Sequence, residues 1–127
     1  MESDLKATPM KRFMFVNRRA PHGTIYAQES LELVMITAAF EQQVSLVFMD
    51  DGVYQLKEGQ DTSPLNLKNF SKTYRALEDF DVEDIYVEQE SLDSRGINEA
   101  DLIIPVRVLS STELGHLMAK QDVIIGS

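Results

Sequence analysis

Short apolar runs alternate with longer amphipathic stretches along this chain. The run at residues 44–49, VSLVFM, is too short for an isolated helix and rich in β-branched and aromatic side chains. Such a run is typical of a strand buried on both faces inside a parallel sheet. Similar runs predict four more strands, at residues 12–16, 84–87, 102–109 and 122–125. Because Pro105 has no amide to donate to a neighbouring strand, we expect the fourth strand to lie at an edge or carry a bulge.

After the first strand, apolar side chains recur at spacings of three and four, which predicts an amphipathic helix with Thr24 as its N-cap. Its predicted apolar stripe consists of Ala27, Leu31, Val34, Met35 and Ala38. This strand–helix–strand order predicts a right-handed crossover that joins two parallel strands.

Further helices are predicted between the later strands. Residues 67–77 repeat the amphipathic pattern, and residues 90–95 predict one or two helical turns that end at Gly96. Ser110 and Glu113 fit a capping box that begins the last helix. The alternation of strands and helices predicts a three-layer α/β/α sandwich with a mainly parallel five-stranded sheet.

Length and charge narrow the function classes. The chain has 127 residues, which favours a single domain over residues 10–127 and a flexible N-terminal extension over residues 1–9. With 12 basic against 21 acidic side chains the net charge is −9, which disfavours direct nucleic-acid binding. No apolar run approaches the roughly 20 residues that span a membrane, and no secretory signal is found, so we expect a cytoplasmic protein.

Cysteine is absent from the sequence. The chain therefore has no disulfide, no thiolate zinc ligand and no thiol nucleophile. Neither a glycine-rich nucleotide motif nor a serine nucleophile elbow occurs. Ser91, Ser110 and Ser111 all stand where serine commonly begins a helix, so the sequence names no catalytic serine.

Asp50, Asp51 and Gly52 end the predicted central strand abruptly. Asp can bind its own downstream backbone, and glycine adopts the dihedral angles that a sharp turn needs. In α/β sheets, ligands and partners meet the loops at the carboxyl ends of strands. We therefore expect Asp50, Asp51, Tyr54 and Gln55 to lie on the edge of the sheet where functional sites usually occur. The two carboxylates fit either a capped turn or a divalent metal site.

Arg18, Arg19 and His22 lie in the polar loop that follows the first strand. A basic loop before a helix N-terminus can receive an anion. The same loop also fits a solvated connection, or one that pairs with acidic side chains of a neighbouring subunit.

Four separated motifs resemble the DsrE/DsrF/TusC family, and the match is nearest to its DsrF/TusC branch. They are APHGT at residues 20–24, DDGVYQL-x-x-GQ at residues 50–60, KNFS-x-TYR-x-L at residues 68–77 and SLDSRG at residues 91–96. The resemblance implies a three-layer α/β/α fold and a place in a heterohexamer of three related subunits. Such complexes carry persulfide sulfur, either for wobble-uridine 2-thiolation of transfer RNA or for intracellular sulfur oxidation.

The family's active cysteine follows the third strand, and the resemblance places Glu88 at that position. A carboxylate has no sulfur with which to carry a persulfide. The resemblance therefore implies a non-catalytic subunit without a cofactor. Its implied partners are DsrE/TusD-like and DsrH/TusB-like subunits, with a TusE/DsrC-like sulfur carrier reached through the complex.

Two alternatives stay open from the sequence. One is a stand-alone homo-oligomer that binds an anion or nucleotide at the first loop. The other is a cysteine-independent enzyme that uses Asp50 or Glu88.

Overall fold

The computed structural model describes residues 10–19, 26–40, 42–57, 77, 82, 84–102 and 104–126, with residues 26–31 described through the backbone. Its centre is a five-stranded sheet in the order β4-β3-β2-β1-β5, in which each pair of neighbours is parallel. The strands are β1 (Arg12–Asn17), β2 (Gln43–Phe48), β3 (Asp84–Glu88), β4 (Arg107–Leu109) and β5 (Val123–Gly126). The strand predicted at residues 44–49 is β2, and it occupies the middle of the sheet as expected.

Helices lie on both faces of this sheet. The described helices are α1 (Tyr26–Ala39), α2 (Gln89–Ser94) and α3 (Ser111–Met118), with two 3-10 helices at Asp50–Gln55 and Glu99–Asp101. One core cluster joins α1 and α2 to the sheet through Val34 and Leu92. A second, smaller cluster joins α3 to the opposite face through Leu114. The predicted α/β/α arrangement is therefore confirmed.

The predicted apolar stripe of α1 agrees with the packing where the structure describes it. Val34 is fully buried, and Met35 and Ala38 pack against the larger core cluster. The predicted Thr24 cap and the side chains of Ala27 and Leu31 lie outside the described residues.

The helix predicted over residues 67–77 is described at one position. Leu77 is helical and fully buried in the larger cluster. The rest of that helix and the extension predicted over residues 1–9 lie outside the described residues.

The fourth strand is much shorter than predicted. β4 has three residues, whereas the sequence indicated a strand over residues 102–109. Leu102 instead forms an isolated antiparallel bridge with Lys57, and Pro105 lies outside the strand. The missing proline amide explains why pairing with β3 begins only at Arg107. The predicted edge position of this strand is confirmed.

Two predicted helix boundaries are also confirmed. α2 ends before Gly96, which has the left-handed φ of 64° that glycine adopts at low cost. α3 begins with a capping box, in which the Ser110 hydroxyl accepts from the Glu113 amide and the Glu113 carboxylate accepts from the Ser110 amide. None of the described helices is long and apolar enough to cross a membrane.

Candidate functional site

The carboxyl edge of the sheet brings together the loops after β1 and β2. The Asn17 carbonyl accepts from the Met49 amide at 3.0 Å, and the Arg19 carbonyl accepts from the Gln55 side chain at 2.8 Å. Arg18 Nε lies 3.9 Å from Asp50 Oδ2, with both side chains more than half exposed. The sequence placed these two loops on one edge, and the structure shows that they are in direct contact.

The turn after β2 differs from the prediction. Residues Asp50–Gln55 form a 3-10 helix, and the left-handed φ of 51° belongs to Asp50, not to Gly52. Aspartate is among the residues that tolerate this conformation best after glycine. Gly52 is required for another reason, because a Cβ atom there would lie 1.9 Å from the Asn17 carbonyl oxygen.

The carboxylates of Asp50 and Asp51 face guanidinium groups. Asp50 lies near Arg18, and Asp51 Oδ1 accepts from Arg95 Nε at 3.1 Å and Nη2 at 3.0 Å. Within the described part of the chain, no three acidic or histidine side chains converge as metal ligands would. The structure therefore favours ion pairing over the metal site that the sequence left open.

The other predicted edge residues have different environments. Gln55 is buried and holds the first loop through the Arg19 carbonyl. Tyr54 is half-buried and packs against the larger core cluster, so it helps to anchor the 3-10 helix. His22 lies outside the described residues.

Glu88 is the centre of a buried hydrogen-bond network. It ends β3 and is 9% exposed, and its carboxylate accepts from the hydroxyls of Ser91 at 2.5 Å and Ser111 at 2.9 Å. The Ser91 hydroxyl also accepts from the Asp50 amide at 2.8 Å. One carboxylate thus joins the end of β3 to α2, to α3 and, through Ser91, to the turn after β2.

Sequence reasoning missed these two serine partners. Ser110 is the helix cap that the sequence indicated, whereas Ser91 and Ser111 direct their hydroxyls to Glu88. The three-residue spacing of Glu88 and Ser91 across a strand–helix junction was a local signal for the first contact. The contact with Ser111 spans 23 positions and had no local signal.

Glu90 extends this network at the surface. Its two carboxylate oxygens accept from the Ser111 backbone amide at 3.0 and 3.1 Å. This backbone hydrogen bond from Ser111 is the main reason why the pKa of Glu90 lies below its ordinary value. The charged carboxylate therefore helps to hold the beginning of α3 against α2.

The edge offers surfaces and ion pairs but no thiol. The buried carboxylate of Glu88 is already hydrogen-bonded to two hydroxyls, and the chain contains no cysteine. This arrangement can present charged and polar groups to another protein. It can also hold α2, α3 and the turn after β2 rigidly at the end of β3. It cannot form a persulfide, because that chemistry requires a sulfur nucleophile.

Comparisons with known proteins agree with the resemblance seen in the motifs. The chain is 46% identical to the intracellular sulfur oxidation protein DsrF of Allochromatium vinosum, over 91% of this chain and 95% of that protein. It is 33% identical to a TusC homologue of Vibrio vulnificus, over 83% of this chain and 89% of that protein.

A solved structure supports the fold. The crystal structure of the ychN protein from E. coli superposes with a TM-score of 0.77 at 23% identity, covering 93% of this chain and all of that one. The sequence model of the DsrE/DsrF-like family matches residues 11–126, nearly the whole chain. The chain therefore belongs to the DsrE/DsrF-like family.

Proposed function

We propose that this chain is a non-catalytic subunit of a sulfur-relay complex, in which persulfide sulfur passes between proteins. The observation that carries the proposal is Glu88. This carboxylate stands at the position that the resemblance gives to the family's cysteine, and it is buried and hydrogen-bonded on both sides by serine hydroxyls. A subunit with this side chain contributes through contact with its neighbours, because it has no sulfur to transfer.

The partners we propose are the related subunits of the same complex, one DsrE/TusD-like and one DsrH/TusB-like. A TusE/DsrC-like carrier would receive sulfur through the complex and not from this chain. Of the two roles that the resemblance implies, the 46% identity to DsrF favours intracellular sulfur oxidation over transfer-RNA thiolation. We propose the cytoplasm as the location of this complex.

An apolar stripe on α1 is the surface that we assign to subunit contact. Leu33 and Ile36 of α1 and Phe40, which directly follows this helix, stand at spacings of three and four, and they are 43%, 55% and 73% exposed. Residues at this spacing lie on one face of a helix. Large apolar side chains exposed side by side commonly mark a protein interface. The stripe fits the apolar face of a related subunit better than it fits solvent.

Co-purification tests this proposal. The chain is co-expressed with its DsrE-like and DsrH-like neighbours, and a tag on one neighbour is used for capture. We expect all three chains to elute together, and we expect the double variant Ile36→Ser with Phe40→Ser to be lost from the eluate. Both side chains are exposed, so the variant keeps its fold, which circular dichroism of the isolated chain verifies. Glu32→Gln, on the same helix, is the matched control and should be retained.

A second measurement distinguishes binding to the partner subunits from sulfur transfer by this chain. The purified chain is mixed with a persulfide donor, and bound sulfur is followed by mass spectrometry. We expect no sulfur on this chain and sulfur on a neighbour when the complex is present. A monomeric chain that ignores both neighbours would refute the proposal. Turnover by the isolated chain that is lost in a folded Asp50→Asn variant would instead support a cysteine-independent enzyme.

A further inference from the structure

The face of the sheet that α3 covers is divided into an apolar and a polar half. Every second residue of a strand points to the same face. Toward the carboxyl ends, Met14, Val16 and Val47 pack with Leu114 of α3 in the smaller core cluster. At the amino ends, the same face carries polar side chains, namely Arg12 of β1, Gln43 and Ser45 of β2 and Asp84 of β3.

The length of α3 explains this division. An eight-residue helix is about 12 Å long, whereas a six-residue strand such as β2 spans about 20 Å. α3 is therefore too short to cover the whole face, and its Leu114 packs over the carboxyl half of the strands. Polar residues are tolerated at the amino ends because none of the described helices fills the space above them.

A cavity of about 220 Å³ lies in the open half. Its walls come from β1, β2 and β3, from Leu117 in the last turn of α3, and from Lys120 and Gln121, which follow this helix. At about 30 Å³ for each water molecule in the liquid, the cavity has room for several waters or for one small metabolite. It lies at the opposite end of the strands from the network around Glu88, so it is a separate site.

The balance of charges at this cavity differs from that of the whole chain. The protein has a net charge of −9, yet Arg12 and Lys120 line the cavity against the single carboxylate of Asp84. The Asp122 carboxylate near Arg12 is bound to the Arg12 backbone amide at 2.8 Å. This hydrogen bond leaves Asp122 charged, so the cavity and its rim hold two cations and two carboxylates. Such a balanced pair of charges suits a ligand that itself carries both signs.

Tyr86 also lines the cavity. It is buried, and burial first and the neighbouring Asp84 second raise the pKa of its phenol, while Arg107 opposes this shift. The phenol therefore keeps its proton at neutral pH. The cavity thus combines two cations, a neutral hydroxyl and one carboxylate within a small volume.

We propose that this cavity binds a small amino acid or a related amino-carboxylate. The carboxylate of the ligand would lie toward Arg12 and Lys120, and its ammonium group would donate to Asp84. Charge-assisted hydrogen bonds of this kind are roughly twice as strong as neutral ones. A simple anion would use only the two cations, so recognition of the ammonium group by Asp84 distinguishes the proposed ligand class from any other small anion.

Nuclear magnetic resonance titration of the full chain with glycine and with acetate tests the proposal. Glycine carries both groups, whereas acetate carries the carboxylate alone. We expect glycine to shift the backbone resonances of Arg12, Asp84 and Lys120 in a saturable way, with a Kd on the order of 1 mM, and acetate to bind more weakly. The spectrum reports at the same time whether each variant retains the fold.

Three variants make the outcome specific. The double variant Arg12→Gln with Lys120→Gln should abolish the binding of both probes. Asp84→Asn should weaken glycine about tenfold and leave acetate unchanged or tighter. Lys11→Gln removes one positive charge next to Arg12 in sequence, from a residue that does not line the cavity, and should change neither Kd. Any of three results would overturn the proposal. The native chain could show no saturable shifts, it could bind the two probes equally, or Lys11→Gln could weaken binding as much as the double variant does. The test involves no partner subunit, so its result is independent of the sulfur-relay proposal.

Discussion

Gly52 joins the two loops of the carboxyl edge because it has no side chain. The space that a Cβ atom would fill is occupied by the Asn17 carbonyl oxygen, and this oxygen also accepts from the Met49 amide. A glycine in an acidic turn suggested a need for unusual dihedral angles. The structure assigns that conformation to Asp50, and it shows that close backbone approach is what requires glycine at position 52.

Gly52→Ala should therefore destabilise the protein by about 3 kcal/mol or more, because the obstructing atom belongs to the backbone and cannot rotate away. The free energy of unfolding is measured by urea denaturation. Gly115→Ala is the matched control, since it lies within α3 and a Cβ atom there meets nothing within 4 Å. It should stabilise the protein by about 0.5–1 kcal/mol through helix propensity. Similar values for the two variants would contradict this account of Gly52.

Ser91 should be more important for stability than a helix-start serine. Its buried hydroxyl donates to Glu88 and accepts from the Asp50 amide, so Ser91→Ala leaves two groups without this partner. We expect a loss of about 1–3 kcal/mol in urea denaturation. Ser94→Ala in the exposed last turn of α2 is the control and should stay within about 0.5 kcal/mol of the native chain. Equal effects of the two substitutions would show that the hydrogen-bond network around Glu88 does not contribute to the free energy of unfolding.

At the scale of elements, α2 and α3 are joined by charge and not only by packing. α3 has its own capping box, and Glu90 of α2 adds a carboxylate at the Ser111 amide in the first turn of α3. A negative charge is favourable at this end of a helix, where backbone amides are unpaired. The short α2 thereby contributes to the start of a helix more than twenty residues away.

Glu90→Gln should reveal this contribution as a pH-dependent difference. The Ser111 hydrogen bond lowers the pKa of Glu90 in the folded protein, so its stabilisation is complete above the ordinary value of 4.5 and is lost as the pH falls through the lowered value. We expect the native chain to have the higher Tm at pH 7, and we expect the difference to close as the pH falls below 4.5. Scanning calorimetry of both chains measures it. Glu32→Gln on α1 is the control, and a difference for Glu90→Gln that is constant with pH would contradict the argument.

At the scale of the whole molecule, strand pairing and burial decrease from the centre of the sheet to its edges. β2 pairs with both β1 and β3, and residues 44–48 are all buried. β5 pairs with β1 alone, and its Ile124 is half exposed. A paired and buried strand opens only when the whole domain unfolds, whereas an edge strand can open locally.

Amide hydrogen exchange should therefore be slowest in β2 and faster in β5 and β4. We expect β2 amides to exchange only through global unfolding, with free energies of opening that equal the free energy of unfolding from urea denaturation. β5 amides should show lower opening energies. Exchange measured by nuclear magnetic resonance on the isolated chain provides both values. Equal protection of β2 and β5 would show that the edge strand is held by contacts other than its pairing with β1.

Much of this architecture could be predicted because the signals are local. The apolar run of β2, the Ser110 and Glu113 capping box and the Gly96 helix end each depend on residues a few positions apart. The prediction of a long fourth strand was wrong because an apolar run does not reveal where pairing with a neighbour stops. At the candidate site, the predicted parallel crossover between the first two strands placed the loops of Arg18 and Asp50 on one edge.

By itself, the sequence determined the α/β/α fold, the family and the absence of a thiol, since periodicity, motifs and composition are properties of the chain alone. The tertiary structure decided which side chains meet. The contacts from Glu88 to Ser111 and from Asp50 to Ser91 join residues 23 and 41 positions apart. The cavity between the amino ends of three strands and the end of α3 is likewise formed only in the folded chain. Such contacts depend on how the strands are ordered and how far one short helix extends over them, and neither quantity is encoded in any local stretch of residues.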